Sequence, residues 1–306
     1  MIEGHDLELF QRSLRAATEQ HTGDALDGAL AELGWDDALS FDTRAAVSTL
    51  FELQGEACTT SSALDRVLAF ALGVALEGDT AVVLPPIGHA SAPASLEGDH
   101  IVVRGLVTSA RDSMMVMGAV LDAAVFTTRP VHGVDPDLGL VEVHGELAAD
   151  GSGAVDWGAA VQYGQLALAH ELVGASRRVL ALAREHALER IQFDQPIAKF
   201  QAIRHRLAET LVAIETAASV LDAAWLDPSP VTAAMAKATA GRSARTVIKH
   251  GQQVLAGIGF TTEHDLHRYV RRVVVLDQLF GSSAVLTKQL GQELLATRQL
   301  PRLLPL

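Results

Sequence analysis

Apolar and small residues recur at three- and four-residue intervals through Val161, Gly164, Leu168, Leu172, Ala175, Val179 and Leu182. That period puts them on one face of a helix and does not suit a strand, whose period is two. A second stripe runs through Phe200, Ile203, Leu207, Leu211, Ile214, Ala218 and Leu221, and is stopped by Pro228 and Pro230. A third, through Ala244, Val247, Ile248, Gly251, Val254 and Leu255, ends at Gly257-Ile-Gly259. Leu276, Leu279, Val285 and Leu290 belong to a last helical stretch. Long helices with short links bury their apolar faces against one another, which predicts a C-terminal four-helix bundle over residues 150–306.

The preceding chain divides in two. Residues 1–78 read as an N-terminal helical domain, with helical spacing in Leu7, Phe10, Leu14 and in Leu26, Leu30, Leu33. Gly34-Trp35 and Ser40-Phe41-Asp42 mark breaks, with Ser40 or Asp42 as an N-cap. Further helices are predicted through Val47, Leu50, Phe51 and Leu53, and from Ala63 to Leu76. From residue 79 the composition changes. Thr80–Leu84 (ended by Pro85-Pro86), Ile101–Val107 and Val141–His144 read as strands, and Met114–Val120 and Ala123–Thr128 complete a small β region to residue 149. Segments this short predict a reduced antiparallel sheet or barrel; with no βαβ rhythm and no Gly-rich phosphate loop after a strand, a Rossmann fold fits poorly. Asp150-Gly-Ser-Gly-Ala reads as a linker. The expected fold is mainly α with a small β domain.

Composition narrows the function. At 306 residues the chain exceeds what one core comfortably holds. A net charge of -13 argues against nucleic acid as the main partner, although local arginines can still receive an anion. Cys58 is the sole cysteine, so no internal disulfide forms, and it reads as a small buried hydrophobe. The acidic start lacks a secretory leader, and no uncharged apolar run is long enough to span a membrane, so a cytoplasmic chain is expected. His264 and His267 share a helical face but have no third ligand, so no metal site is expected. His205 sits on a solvated face between Arg204 and Arg206. Arg177-Arg178 and Arg271-Arg272 read as solvated pairs, or as contacts to a ligand's phosphates or a partner chain.

The joint between the first two bundle stripes, Arg190-Ile-Gln-Phe-Asp-Gln-Pro-Ile-Ala-Lys-Phe-Gln-Ala-Ile-Arg-His-Arg206, combines a helix exit, a turn and a helix entry with an arginine, aromatics and glutamines. Such a loop can hold an anionic, planar ligand. Its first part, with Gln253-Val-Leu-Ala-Gly-Ile-Gly-Phe260 and the helix, sheet, bundle order, resembles the acyl-CoA dehydrogenase family. The resemblance implies FAD chemistry: a carboxylate base removes the α-proton of an acyl-CoA and the β-hydrogen passes as hydride to the flavin. It implies that Arg190 contacts the FAD pyrophosphate, that Gln192, Phe193, Phe200 and Gln201 line the dinucleotide, and that Gln253 and Gly257 meet the adenosine of a flavin held mainly by a neighbouring subunit. On the residues alone, Arg190 also fits a helix-dipole partner, Phe193 and Phe200 core anchors, and Gly257 a helix C-cap. Asp194 stands where the family has glycine; aspartate tolerates left-handed geometry, so the turn can survive.

The family's two base positions correspond to Gly164 and Phe280, and neither side chain can take a proton. Asp277 is the nearest substitute and reads instead as a surface or ion-pair residue. The family's flavin-ring segments correspond to Val83–Ser91 and Gly105–Arg111, with only Thr108 and Ser109 as vestiges. The pattern resembles the shorter, non-catalytic subunit of heteromeric (α2β2) acyl-CoA dehydrogenases of steroid-degrading bacteria. It implies a catalytic partner subunit, a shared FAD and a steroid-derived acyl-CoA. The alternatives are a homomeric dehydrogenase using Asp277, or a non-redox scaffold of the same fold.

Overall fold

The computed structural model describes residues 4–76, 78–148 and 156–298; the Asp150–Ala154 stretch read as a linker lies outside the described residues. Five helices come first: α1 (His5–Gln20), α2 (Asp24–Glu32), α3 (Trp35–Phe41), α4 (Thr43–Ala57) and α5 (Ala63–Leu72). Asp42 is the N-cap of α4, its Oδ1 accepting from the Ala45 N–H at 3.1 Å, and left-handed Gly34 opens α3. The C-cap of α4 is Cys58, buried and left-handed at φ 54°.

The β region holds two sheets. β1 (Thr80–Val82), β4 (Ser113–Val116) and β5 (Ala119–Asp122) form one in the order β1-β4-β5. β2 (Ala94–Glu97), β3 (His100–Val107), β6 (Thr127–Pro130) and β7 (Val141–Ala148) form the other in the order β2-β3-β7-β6. The antiparallel expectation needs one correction, because β1 pairs with β4 in parallel. Two strand segments also shift. Met114–Val120 is a hairpin turning at Met117 and Gly118, both at positive φ, and Ala123–Val125 is a short 3-10 turn. In the second case the Asp122 carboxylate accepts from the Ala124 N–H at 2.8 Å, which competes with strand pairing.

The C-terminal region has three long helices, α6 (Trp157–Glu189), α7 (Gln201–Leu226) and α8 (Pro230–Leu255), followed by α9 (Leu266–Gln278) and α10 (Ser283–Thr297). The fourth stripe is thus split in two at Phe280 and Gly281, which both take positive φ. Pro230 opens α8 from a Ser229 capping box. The helix does not end on glycine: Ala256 takes the positive φ, and Ala256–Phe260 form a 3-10 turn.

The N-terminal helices and the bundle share one hydrophobic core, while the β region has a second of its own around Val83, Val103, Met114 and Val143. Helices α4 and α6 cross with their backbones touching. A Cβ on Gly55 would collide with the Glu171 carbonyl oxygen, and one on Gly174 with that of Glu52. A polar relay runs beside the crossing. Trp225 Nε1 can only donate, so its 2.9 Å bond makes His170 Nε2 an acceptor and leaves the ring proton on Nδ1. That Nδ1–H donates to Glu52 Oε1 at 2.9 Å, and Arg177 pairs with the other Glu52 oxygen. Burial pushes the Glu52 carboxyl up, but His170 and Arg177 outweigh it and hold it below the usual range. Gly174→Ala is expected to destabilise the chain by roughly 1–3 kcal/mol or more, because the α4–α6 spacing must open. Gly28→Ala, in a helix position with open space, should leave the chain unchanged or raise its melting temperature slightly.

Candidate functional site

The candidate cofactor residues gather at one end of the bundle. Helix α6 ends at Arg190, whose carbonyl accepts from the Ile197 N–H at 2.9 Å, closing a small loop. Within it, β8 (Ile191–Gln192) and β9 (Gln195–Pro196) form a two-residue hairpin around Phe193 (φ 51°) and Asp194 (φ 62°). A turn of this kind requires left-handed geometry at both central residues, and Asp194 adopts it without glycine. Phe193 is therefore no core anchor. It is 86% exposed, with Phe200 edge-on at 6.1 Å between ring centres.

Arg190, Gln192, Gln201, Gln253 and Gly257 are also exposed, and Phe200 is half-buried. The start of α7 is tied to the end of α8 by His250. The Thr210 hydroxyl donates to the Arg206 carbonyl at 2.7 Å, so it accepts the His250 Nδ1–H at 2.9 Å, and Nε2 accepts from Arg206 Nη1 at 3.1 Å. Burial and then the Arg206 charge lower the His250 pKa, consistent with that neutral ring. The bond network thus brings Arg190–Gln201 and Gln253–Gly257 to the same end. The guanidinium of Arg190 has no hydrogen-bond or ion-pair partner among the described residues. A Cβ on Gly257 would meet nothing within 4 Å, so this glycine is neither sterically required nor the helix cap; what it leaves open is backbone.

The two candidate base positions meet near the other end of α6. The Phe280 ring lies over Gly164, so that a Cβ there would stand 3.0 Å from Phe280 Cζ. Phe280 is buried at φ 54°, a conformation that costs a non-glycine residue about 1–2 kcal/mol. Three groups hold the turn. Gln165 Nε2 donates to the Phe280 carbonyl at 3.1 Å, and Lys237 Nζ donates to the carbonyls of Asp277 (3.1 Å) and Gly281 (3.5 Å). Asp277 is the third. It is fully buried rather than on the surface, accepting from Arg245 Nε (2.8 Å), the Ser283 N–H (3.1 Å) and Ser283 Oγ (3.3 Å). Gly241 admits it, since a Cβ there would strike its Oδ1. Burial pushes the Lys237 pKa down to about 8.

The middle-domain segments are committed internally. Leu84 and Leu106 exchange backbone bonds at 2.7 and 3.0 Å, Thr108 Oγ1 donates to Asp65 at 3.4 Å, and Ser109 accepts from Arg111 Nε at 2.9 Å. The Leu84 and Leu106 amides and the Thr108 hydroxyl are therefore already used as donors, while Ser109 is engaged as an acceptor. Arg111 also pairs with Asp24 and Asp79, joining α2 to the β region.

Arg271-Arg272 is not a solvated pair. Arg272 is buried, bonding Asp135 at 2.6 Å, the Thr59 carbonyl at 2.7 Å and Glu171 at 3.4 Å. His205 is exposed as expected, and Arg177 and Arg178 pair with Glu52 and Glu185. Among the described residues no group of three or more His, Cys, Asp or Glu could hold a metal, and no helix is long and apolar enough to cross a membrane. The buried Arg272, Lys237 and Asp277 carry no sequence signal separating them from surface charges.

Comparison with known proteins agrees with this architecture. The model of the acyl-CoA dehydrogenase C-terminal domain matches residues 151–295. The acyl-CoA dehydrogenase IpdE2 of Mycobacterium tuberculosis is 30% identical over 252 residues, covering 70% of this chain and 77% of that protein. The chain therefore belongs to the acyl-CoA dehydrogenase family. Its fold is also similar to chains of the Mycobacterium tuberculosis ChsE4-ChsE5 complex (TM-score 0.77, 19% identity, 98% of this chain and 99% of that one) and of the Tcur3481-Tcur3483 steroid ACAD G363A variant (TM-score 0.75, 18% identity, 96% and 99%).

Asp65 supplies a test of this interior. Burial pushes its carboxyl up to about 7 against the Val82 N–H, Thr108 and Arg111, and its Oδ1 has no partner. The folded chain then holds a proton that the unfolded chain releases near the ordinary value of about 4. This contribution is full below about 4 and is lost as pH rises to about 7. Chemical denaturation between pH 5 and 8 should show stability falling with pH, and Asp65→Asn should flatten part of that slope.

Proposed function

We propose that this chain is the base-lacking subunit of a heteromeric, FAD-dependent acyl-CoA dehydrogenase, and that its bundle end clasps the dinucleotide of a flavin held mainly by a catalytic partner. The observation that carries the reading is the contrast between the two ends of α6. At one end an unpaired arginine, exposed aromatic edges and open glycine backbone face outward. Near the other, the two positions at which the family places its carboxylate are a glycine and the aromatic ring packed on it. Arg190 and Gly164 are 26 residues apart on one helix axis, about 39 Å at 1.5 Å per residue. That separation exceeds the reach of a single flavin dinucleotide, so the clasp serves a flavin other than one at this chain's own Phe280.

The residues at the clasp fit the proposed group. A guanidinium fork suits a diphosphate, and Gln192, Gln201 and Gln253 supply donors and acceptors for the adenosine end. Phe193 and Phe200 give it apolar edges, and Gly257 lets it approach the backbone. The bound flavin supplies the hydride acceptor for α,β-desaturation. This chain's residues position the dinucleotide, while proton abstraction falls to the partner. At Val83–Ser91 and Gly105–Arg111 the N–H groups of Val83, Leu84, Gly88, His89 and Leu106 and the Thr108 hydroxyl already donate within the fold, which counts against an isoalloxazine ring there. The homomeric alternative is weaker because every strong acceptor of Asp277 is occupied. A steroid-derived CoA ester is the favoured substrate class, supported by the fold similarity to the Tcur3481-Tcur3483 steroid ACAD.

Co-expression with a catalytic-type homologue encoded beside this chain tests the proposal. Flavin is expected only in the co-expressed complex, and Arg190→Ala should lower its FAD content. Flavin at one per chain in the lone protein, with dehydrogenase activity, would contradict the reading. Phe280→Ala should leave turnover of the complex largely intact; a collapse in rate without loss of assembly would place Phe280 at a working site.

A further inference from the structure

Helices α8 and α10 leave a groove of about 660 Å3 between them. α10 begins beside Gly241, where a Cβ would stand 3.1 Å from Ser283 Cβ, yet its last turns share the groove wall with Asp227 and Ser229, which precede α8. It therefore runs antiparallel to that helix. Val231, Met235 and Ala238, at i, i+4 and i+7, form the floor on the α8 side. Leu290, Gly291 and Leu294 form it on the α10 side, and Leu295 beside them is 80% exposed. The groove is polarised. Arg242 stands at one end and the carboxylates of Asp227 and Glu293 lie toward the other, and none of the three side chains has a partner among the described residues. The hydroxyls of Thr232, Thr287 and Thr297 already donate to backbone carbonyls at 2.8, 2.7 and 2.9 Å, so these donors are held back from a polar small molecule.

Gly291 has no use within one chain. It sits in the middle of α10, where glycine weakens a helix relative to alanine, and a Cβ there would meet nothing within 4 Å. Glycine on a helix surface lets a second backbone approach closely. We propose that the groove seats a second copy of this chain, the two α10 helices packing antiparallel about a two-fold axis near Leu290 and Gly291. In such an isologous contact each surface meets its own copy in reverse. The reversal lays the Arg242 end of one groove over the Asp227 and Glu293 end of the other, so the pattern is complementary to itself in charge. Exposed ion pairs add little energy but set register and partner. Leu290, Leu294 and Leu295 supply the apolar burial. The flavin clasp lies at the C-terminal end of α8 and this groove along its N-terminal half, so both can be occupied at once. In the proposed complex the contact joins two catalytic pairs through their base-lacking chains.

Sedimentation equilibrium of the whole chain should give twice the mass of one chain at micromolar concentration. Gly291→Leu should reduce it to the mass of one chain with the far-ultraviolet circular dichroism unchanged, since its side chain meets open space in the single chain. Arg242→Glu should also dissociate the pair, and Arg242→Glu combined with Glu293→Arg should recover part of the association. In the co-expressed complex, a short bismaleimide should join Gly291→Cys chains to each other, the native Cys58 being buried. A complex that holds a single copy of this chain, or Gly291→Leu chains that still pair, would overturn the proposal. Cross-linking of Gly291→Cys to the catalytic chain alone would also overturn it and assign the groove to the heteromeric contact.

Discussion

The buried guanidinium of Arg272 joins all three parts of the molecule. From α9 it reaches Asp135 in the connection between β6 and β7, the Thr59 carbonyl after α4, and Glu171 on α6. Removing such a charge from water is expensive; these bonds answer Nε and Nη1, while the buried Nη2 has no partner among the described residues. Glu171 itself is pushed up to about 7 by burial, against the pull of Arg272, and Asp135 is the nearer carboxylate at 2.6 Å. The same face of α9 answers the orphan carbonyls at the end of α4. Tyr269 donates to Glu56 at 2.7 Å and Arg268 to Cys58 at 3.3 Å. One short helix thus sets how the N-terminal helices, the β region and the bundle sit together, and everything placed at either end of α6 depends on it.

That arrangement explains how one chain can keep one end open, with Arg190 and Phe193 exposed, while packing the other closed. The 277–283 turn is locked from α6 by Gln165 and from α8 by Lys237 and Arg245, with glycine at 241 admitting the Asp277 carboxylate. Phe280 is held in an unfavourable conformation by these bonds, so the ring over Gly164 is a built feature of the core. The opposite end is stiffened by the His250 relay and by the hairpin at Phe193 and Asp194, which turn its arginine and aromatic outward. The two ends are kept apart by the 33 residues of α6.

Much of this was legible in the sequence. The stripes from Val161, Phe200 and Ala244 predicted helices α6, α7 and α8, and the spacing of Arg190, Phe193 and Gln201 marked the exposed joint. Asp42 was recognisable as a cap, because a side-chain oxygen one residue before a helix has a specific partner. The β region was read less well. The Ala123–Val125 turn and the parallel β1–β4 pair depend on which strand lies alongside, and short apolar runs do not carry that information. Arg272 looks no different from Arg271 in the sequence, and Asp277 no different from a surface carboxylate.

The sequence by itself determined helix faces, breakpoints and turn residues, because these follow from the dihedral preferences and spacing of neighbouring residues. It also placed glycine at 164 and phenylalanine at 280, side chains that cannot accept a proton. Only the tertiary structure decided that Gly164 and Phe280 pack against each other, that Arg272, Lys237 and Asp277 are interior, and that Arg190 and Gln253 belong to one end. Those are contacts between segments distant in the chain, and burial of a charge is a property of what surrounds it rather than of the residue itself.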